Sequence, residues 1–170
     1  VIGSGAADAV TLGGGDDTVS MGNGDDFVNA TLVSDDSINL GEGDDTIVFG
    51  EALTSQDTVV GGSGTNVLTY TDNDTGVVNE LDHVSSFSRI NVVNGAGSDT
   101  IDITLVDATL LANATLDASG ATDPSYLVLN AVAEDSGIVV LATGRADQVT
   151  LGAGNDVASL GGGNDYVNAA

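Results

Sequence analysis

Residues 12–20 read LGGGDDTVS and residues 21–29 read MGNGDDFVN: two consecutive copies of one phrase with glycine at its second and fourth positions, aspartate at its sixth and an apolar residue at its eighth. The frame returns at 40–48 (LGEGDDTIV), 61–69 (GGSGTNVLT), 94–102 (NGAGSDTID), 151–159 (LGAGNDVAS) and 160–168 (LGGGNDYVN). Looser copies fill the gaps, with GSGAADAVT at 3–11, TLVSDDSIN at 31–39, LTSQDTVVG around Asp57 and ATGRADQVT at 142–150. A phrase this short cannot bury an apolar face alone, so its repetition implies stacked neighbours that share one continuous core.

The spacing explains itself chemically. Glycine at positions two and four permits positive φ and close backbone approach, so the first six residues can curl and aim carbonyl oxygens at a common centre. Aspartate at position six adds a carboxylate, and an all-oxygen, net-negative cage suits a hard cation of flexible coordination, Ca²⁺ before Mg²⁺. The candidate cages are Gly13, Gly15 and Asp17; Gly22, Gly24 and Asp26; Gly41, Gly43 and Asp45; Gly62, Gly64 and Asn66; Gly95, Gly97 and Asp99; Gly152, Gly154 and Asp156; and Gly161, Gly163 and Asp165. Asp8, Asp36 and Asp147 hold the sixth position in the looser copies. The apolar residues that follow (Val19, Val28, Ile47, Val167) are expected to point inward from short strands.

The pattern x-G-x-G-x-D-x-U-x, with U apolar, resembles the nonapeptide of the RTX family of secreted bacterial proteins. That resemblance implies an all-β, right-handed parallel β-solenoid, the β-roll. Two nines make one coil, each turn lies above the turn two repeats earlier, and a calcium ion between stacked turns takes aspartate oxygens from both. It assigns shared ions to Asp8 with Asp26, Asp26 with Asp45, and Asp147 with Asp165. Asn66 keeps an oxygen but loses the charge, so the Asp45–Asn66 site is expected to be weaker. TLVSDD at 31–36 has lost both glycines and the run before Asp57 carries extra residues, so the Asp17/Asp36 and Asp36/Asp57 pairs are expected to be empty.

The chain divides into a β-roll block at 1–69, irregular and wider coils at 70–141 with one regular turn at 94–102, and a second block at 142–170 that is similar to 1–30. VVNEL, SRINVV, TIDITLV, ATLDAS, SYLVLNAV and GIVVLAT read as strands of the middle part, in wider coils of the same solenoid or, as the alternative, in an inserted β-sandwich. Pro124 is expected at a coil corner, because proline cannot donate to a central ladder. LDASG at 116–120, leading into SYLVLNAV and a Gly/Asp block, resembles segments of RTX-type surface-layer and adhesin proteins. Asp72 and Asp74 fall outside every nonapeptide and are expected to matter little.

Composition sets the limits. Among 170 residues there are 26 acidic groups, two arginines and no lysine, for a net charge of −24. Such a polyanion excludes nucleic-acid binding, which depends on Lys and Arg at the phosphates. With 41% hydrophobic residues, the chain is expected to fold once a cation supplies the missing positive charge. No cysteine is available for disulfides, and there is no apolar run long enough to span a bilayer and no leader, so direct membrane insertion is not expected of this piece. Catalysis is not expected either: His83 is the only histidine, and Ser85 and Ser86 beside it lack a nucleophile elbow. His83 reads as a surface or corner residue, and Arg89 and Arg145 as partners of local carboxylates. Residues 142–169 match 3–30 at 16 of 28 positions, an offset of 139, which reads either as one period of a tandem array or as two blocks obeying the same nine-residue rule. The identities Ala7/Ala146, Thr11/Thr150, Ser20/Ser159 and Asn29/Asn168 favour the array. The expectation is an extracellular calcium-binding structural module of a bacterial surface layer, matrix fibre or adhesin, self-associating or continuing in tandem. The alternative is a secretion and folding block of a type I-secreted enzyme or toxin whose catalytic domain lies elsewhere.

Overall fold

The computed structural model describes residues 1–72, 79–94, 100–106, 108–121 and 125–169. Asp74, Gly95, Gly97, Asp99 and Pro124 lie outside the described residues. Those described form sixteen strands: β1 (Ala9–Thr11), β2 (Thr18–Asn23), β3 (Phe27–Asn29), β4 (Ser37–Glu42), β5 (Thr46–Gly50), β6 (Thr58–Val60), β7 (Val67–Asp72), β8 (Val84–Ser85), β9 (Phe87–Asn94), β10 (Thr100–Val106), β11 (Leu110–Asp117), β12 (Tyr126–Ala133), β13 (Val139–Leu141), β14 (Gln148–Leu151), β15 (Val157–Ser159) and β16 (Tyr166–Ala169). Odd strands stack in order as one eight-stranded parallel sheet. Even strands form two four-stranded parallel sheets, β2-β4-β6-β8 and β10-β12-β14-β16. One odd and one even strand make each coil of a β-solenoid.

Strands β2, β4, β5, β7 and β10 alternate because one side chain in two faces the core. Val28, Ile47, Leu68, Ile90, Leu116 and Val140 follow one another in register up the odd sheet, all buried. Val19, Ile38, Val59 and Val84 do the same on the opposite face. Larger side chains, Met21, Leu40, Phe49 and Tyr70, are buried two residues further along the same strands as Val19, Ile38, Ile47 and Leu68. Val167 does not share this burial: it lies on β16, the last strand of its sheet, and is 41% exposed because no strand covers it.

The pairing register measures the coils. Val10 pairs with Val28, two nines further on, as expected. The step then grows to 19 (Val28 to Ile47), 21 (Ile47 to Leu68), 22 (Leu68 to Ile90) and 26 (Ile90 to Leu116). It falls to 24 (Leu116 to Val140) and returns to 18 (Val140 to Ala158). The middle coils are therefore wider members of the same solenoid. Where they widen, the second face breaks: among the described residues β8, two residues long, pairs only with β6, and the even strands form two sheets instead of one. Of VVNEL, the described residues 79–81 belong to a turn that runs on to His83 instead of extending; the Asn79 amide donates to Asp82 and the Asp82 N–H to the Asn79 carbonyl. Asp72 is also more than a loop residue. It is buried at the end of β7, where its Oδ2 accepts the Asp102 N–H of β10 at 3.1 Å. His83 sits exposed at a corner with Nδ1 3.0 Å from the Ser55 carbonyl, and Arg89 pairs with Asp117 across the odd sheet.

Candidate calcium sites

The turns that enter odd strands stack along one edge of the solenoid, and those that enter even strands along the other. The first edge carries Asp8, Asp26, Asp45 and Asn66 in a column. Each of the last three side chains reaches back toward the preceding coil: the Asp8 N–H donates to Asp26 Oδ1 (2.8 Å), the Asp26 N–H to Asp45 Oδ1 (2.8 Å) and the Asp45 N–H to Asn66 Oδ1 (3.0 Å). On the second edge the Asp17 N–H donates to Asp36 Oδ1, the Asp36 N–H to Asp57 Oδ1 and the Asp147 N–H to Asp165 Oδ1. Asp156 is on the first edge but stacks on Ile138, whose N–H its Oδ1 accepts, so its partner there is not a sixth-position aspartate.

The stack is tight enough to demand glycine. Gly41 and Gly43 have φ of 107° and 139°, and a Cβ on them would lie 2.0 Å from the Gly22 carbonyl oxygen and 2.1 Å from that of Gly24. Turns 21–26 and 40–45 thus bring backbone carbonyls and two sixth-position carboxylates together with no side chain between them.

Electrostatics marks the same place. Asp26 and Asp45 are 2% and 0% exposed, and the Oδ2 atom of each is buried without a hydrogen-bond partner. An uncompensated buried carboxylate costs several kcal/mol. Burial pushes the Asp45 carboxyl above its ordinary value; the bond from the Asp26 N–H opposes this, and the charges of Asp26, Asp25 and Asp44 add to it. Two orphaned carboxylate oxygens among carbonyls fit a hard divalent cation, which would neutralise both. Asn66 differs: while Oδ1 takes the Asp45 N–H, Nδ2 donates to the Ser86 carbonyl of the next coil at 3.4 Å, so the amide meets its own requirements.

The looser turns are built differently. Ser4 N–H and Oγ both donate to Asp8 Oδ2 (2.6 and 2.8 Å) and hold its carboxyl below the ordinary value. Thr54 N–H and Oγ1 donate to Asp57 Oδ2 (2.8 and 3.1 Å). Burial pushes the Asp57 carboxyl up, and these bonds, with the one from the Asp36 N–H, oppose it. Thr143 donates its N–H to Asp147 Oδ2 (3.1 Å) and its Oγ1 to Oδ1 (2.7 Å). Ser34 Oγ reaches Asp36 Oδ1 at 3.1 Å. Sequence reasoning missed these hydroxyls, although each stands in a turn that has lost both of its consensus glycines. It also missed a second, outer ladder at the fifth position, whose signal was the Asp-Asp doublet. There the Asp44 N–H donates to Asp25 Oδ1, the Thr65 N–H to Asp44 Oδ1 and the Asp35 N–H to Asp16 Oδ1, opposite in direction to the inner ladder.

Comparison with protein families matches the RTX calcium-binding nonapeptide repeat, in four copies, to residues 1–29, 33–52 and 141–170. No curated protein and no solved structure matches the chain. The matched residues lie in the narrow coils at either end; apart from residues 30–32, the unmatched ones fall between 53 and 140, where the described coils widen. The chain is a β-solenoid built on RTX nonapeptide repeats, and those repeats are calcium-binding motifs.

Proposed function

We propose that this module is an extracellular structural element of a bacterial surface layer, matrix fibre or large adhesin, which Ca²⁺ folds and stiffens and which has no catalytic role. The observation that carries the reading is the pair of buried, unpartnered oxygens on Asp26 and Asp45, two negative charges held between stacked Gly turns. Asp26 and Asp45 with the carbonyls of turns 21–26 and 40–45 would hold the ion; its chemistry there is charge neutralisation of a folded form that is otherwise self-repelling. A ligand that binds only the folded state stabilises it by mass action. The match of 142–169 to 3–30 supports continuation of the solenoid by further copies, and wide parallel ladders with a buried core suit a load-bearing rod.

The test is a calcium titration of the chelated chain followed by far-ultraviolet circular dichroism. The β-type signal is expected to develop toward ~1 mM, the range of weak extracellular modules. A full β spectrum that survives exhaustive chelation would overturn the reading.

A further inference from the structure

We infer that turns 52–57 and 142–147 of this solenoid have replaced calcium with an internal hydroxyl clamp, so that Asp57 and Asp147 are structural acceptors and not calcium ligands, while Asp8 carries the same clamp on one of its two oxygens. The inference rests on the calcium reading of turns 21–26 and 40–45 and sets the clamped turns apart from them.

The clamp has one design in three places. A Ser or Thr stands three or four positions before the sixth-position aspartate, at Ser4, Thr54 and Thr143. Its hydroxyl accepts the N–H two residues on: Ala6 to Ser4 (3.2 Å), Gln56 to Thr54 (3.2 Å) and Arg145 to Thr143 (3.1 Å). The same hydroxyl and the residue's own N–H then donate to the carboxylate. With the N–H of the preceding coil on Oδ1 of Asp57 and Asp147, both oxygens of each are engaged. Asp57 and Asp147 are as buried as Asp26 and Asp45, so burial does not separate the two groups; the difference is that their second oxygen has donors. A carboxylate that accepts several N–H and O–H bonds is stabilised as an anion without a metal. A cation would have to displace those donors.

The experiment measures bound calcium, and the slope of the thermal midpoint against the logarithm of calcium concentration, for the full chain and its variants; that slope counts ions released on unfolding. Asp26→Asn is expected to lose at least one ion and flatten the slope. Asp57→Asn and Asp147→Asn are expected to keep the parent's ion count and slope while lowering the midpoint by the same amount at every calcium concentration. Loss of an ion in Asp57→Asn or Asp147→Asn would overturn the inference. If those variants fail to fold, Thr54→Val and Thr143→Val decide it. A parallel or steeper line supports the clamp, because a freed carboxylate can then recruit calcium, and a shallower line refutes it. A parent chain with no slope at all would instead refute the calcium reading itself, a separate outcome.

Discussion

Asp45 shows how one carboxylate couples folding to both calcium and protons. Its folded-state value is raised, mainly by burial, so the folded chain holds the proton more tightly than the unfolded chain does. For the cation-free chain the linkage therefore favours folding below the unfolded value of 3.8, and that contribution is lost as pH rises through the raised folded value. In chelator, β structure is expected to increase as the pH falls from 7 toward 4, and Asp45→Asn is expected to weaken that dependence. A cation-free spectrum that does not change over this range would contradict the assignment. The aspartates at sixth positions were legible because the nonapeptide fixes their place. What the pattern did not show was which of them had found other donors, because a serine at position two reads as a lost glycine until its hydroxyl is seen against Asp8.

The turn is where glycine decides stability. Gly41 and Gly14 are both glycines in nearly ideal repeats, yet their surroundings differ. Gly41 has φ of 107° and backbone 2.0 Å from a would-be Cβ, whereas Gly14 has no atom within 4 Å of one. Gly41→Ala is expected to destabilise the calcium-loaded chain by at least ~1–3 kcal/mol, the cost of a strained backbone before the clash is added. Gly14→Ala is expected to stay within about 0.5 kcal/mol of the parent. Denaturant unfolding in excess calcium checks both, and equal midpoints would contradict the stacking. The strand order followed from sequence because each apolar residue at position eight needs a partner one coil away. The coil lengths did not follow: insertions at the corners leave the strands in register, and only the pairing of Ile90 with Leu116 reveals how long that coil is. Asp72 was misjudged for a related reason, since its partner Asp102 lies in a later coil and no short period links the two.

The offset of 139 between the two similar ends acquires a geometric consequence once the strands are numbered. It carries Ala9–Thr11 of β1 onto Gln148–Thr150 of β14, and Phe27–Asn29 of β3 onto Tyr166–Asn168 of β16. β1 and β3 belong to the eight-stranded sheet, while β14 and β16 belong to the opposite face. Among the described residues one period therefore contains an odd number of strands, thirteen, or six and a half coils. If copies follow one another at this period, each is turned by half a coil, and the Asp26–Asp45 column changes edge from one copy to the next. With neighbouring strands about 4.8 Å apart, the half-turn recurs roughly every 31 Å. Alternation of this kind would distribute the bound calcium and any lateral contact evenly over both sides of a rod, and so keep it from curving toward one. The expected result is visible in a tandem protein of several copies carrying Ser37→Cys, an exposed position on β4, labelled with small gold particles. Electron microscopy in calcium should show labels alternating between the two faces along the rod, and labels confined to one face would mean that the copies do not continue a single solenoid in this register.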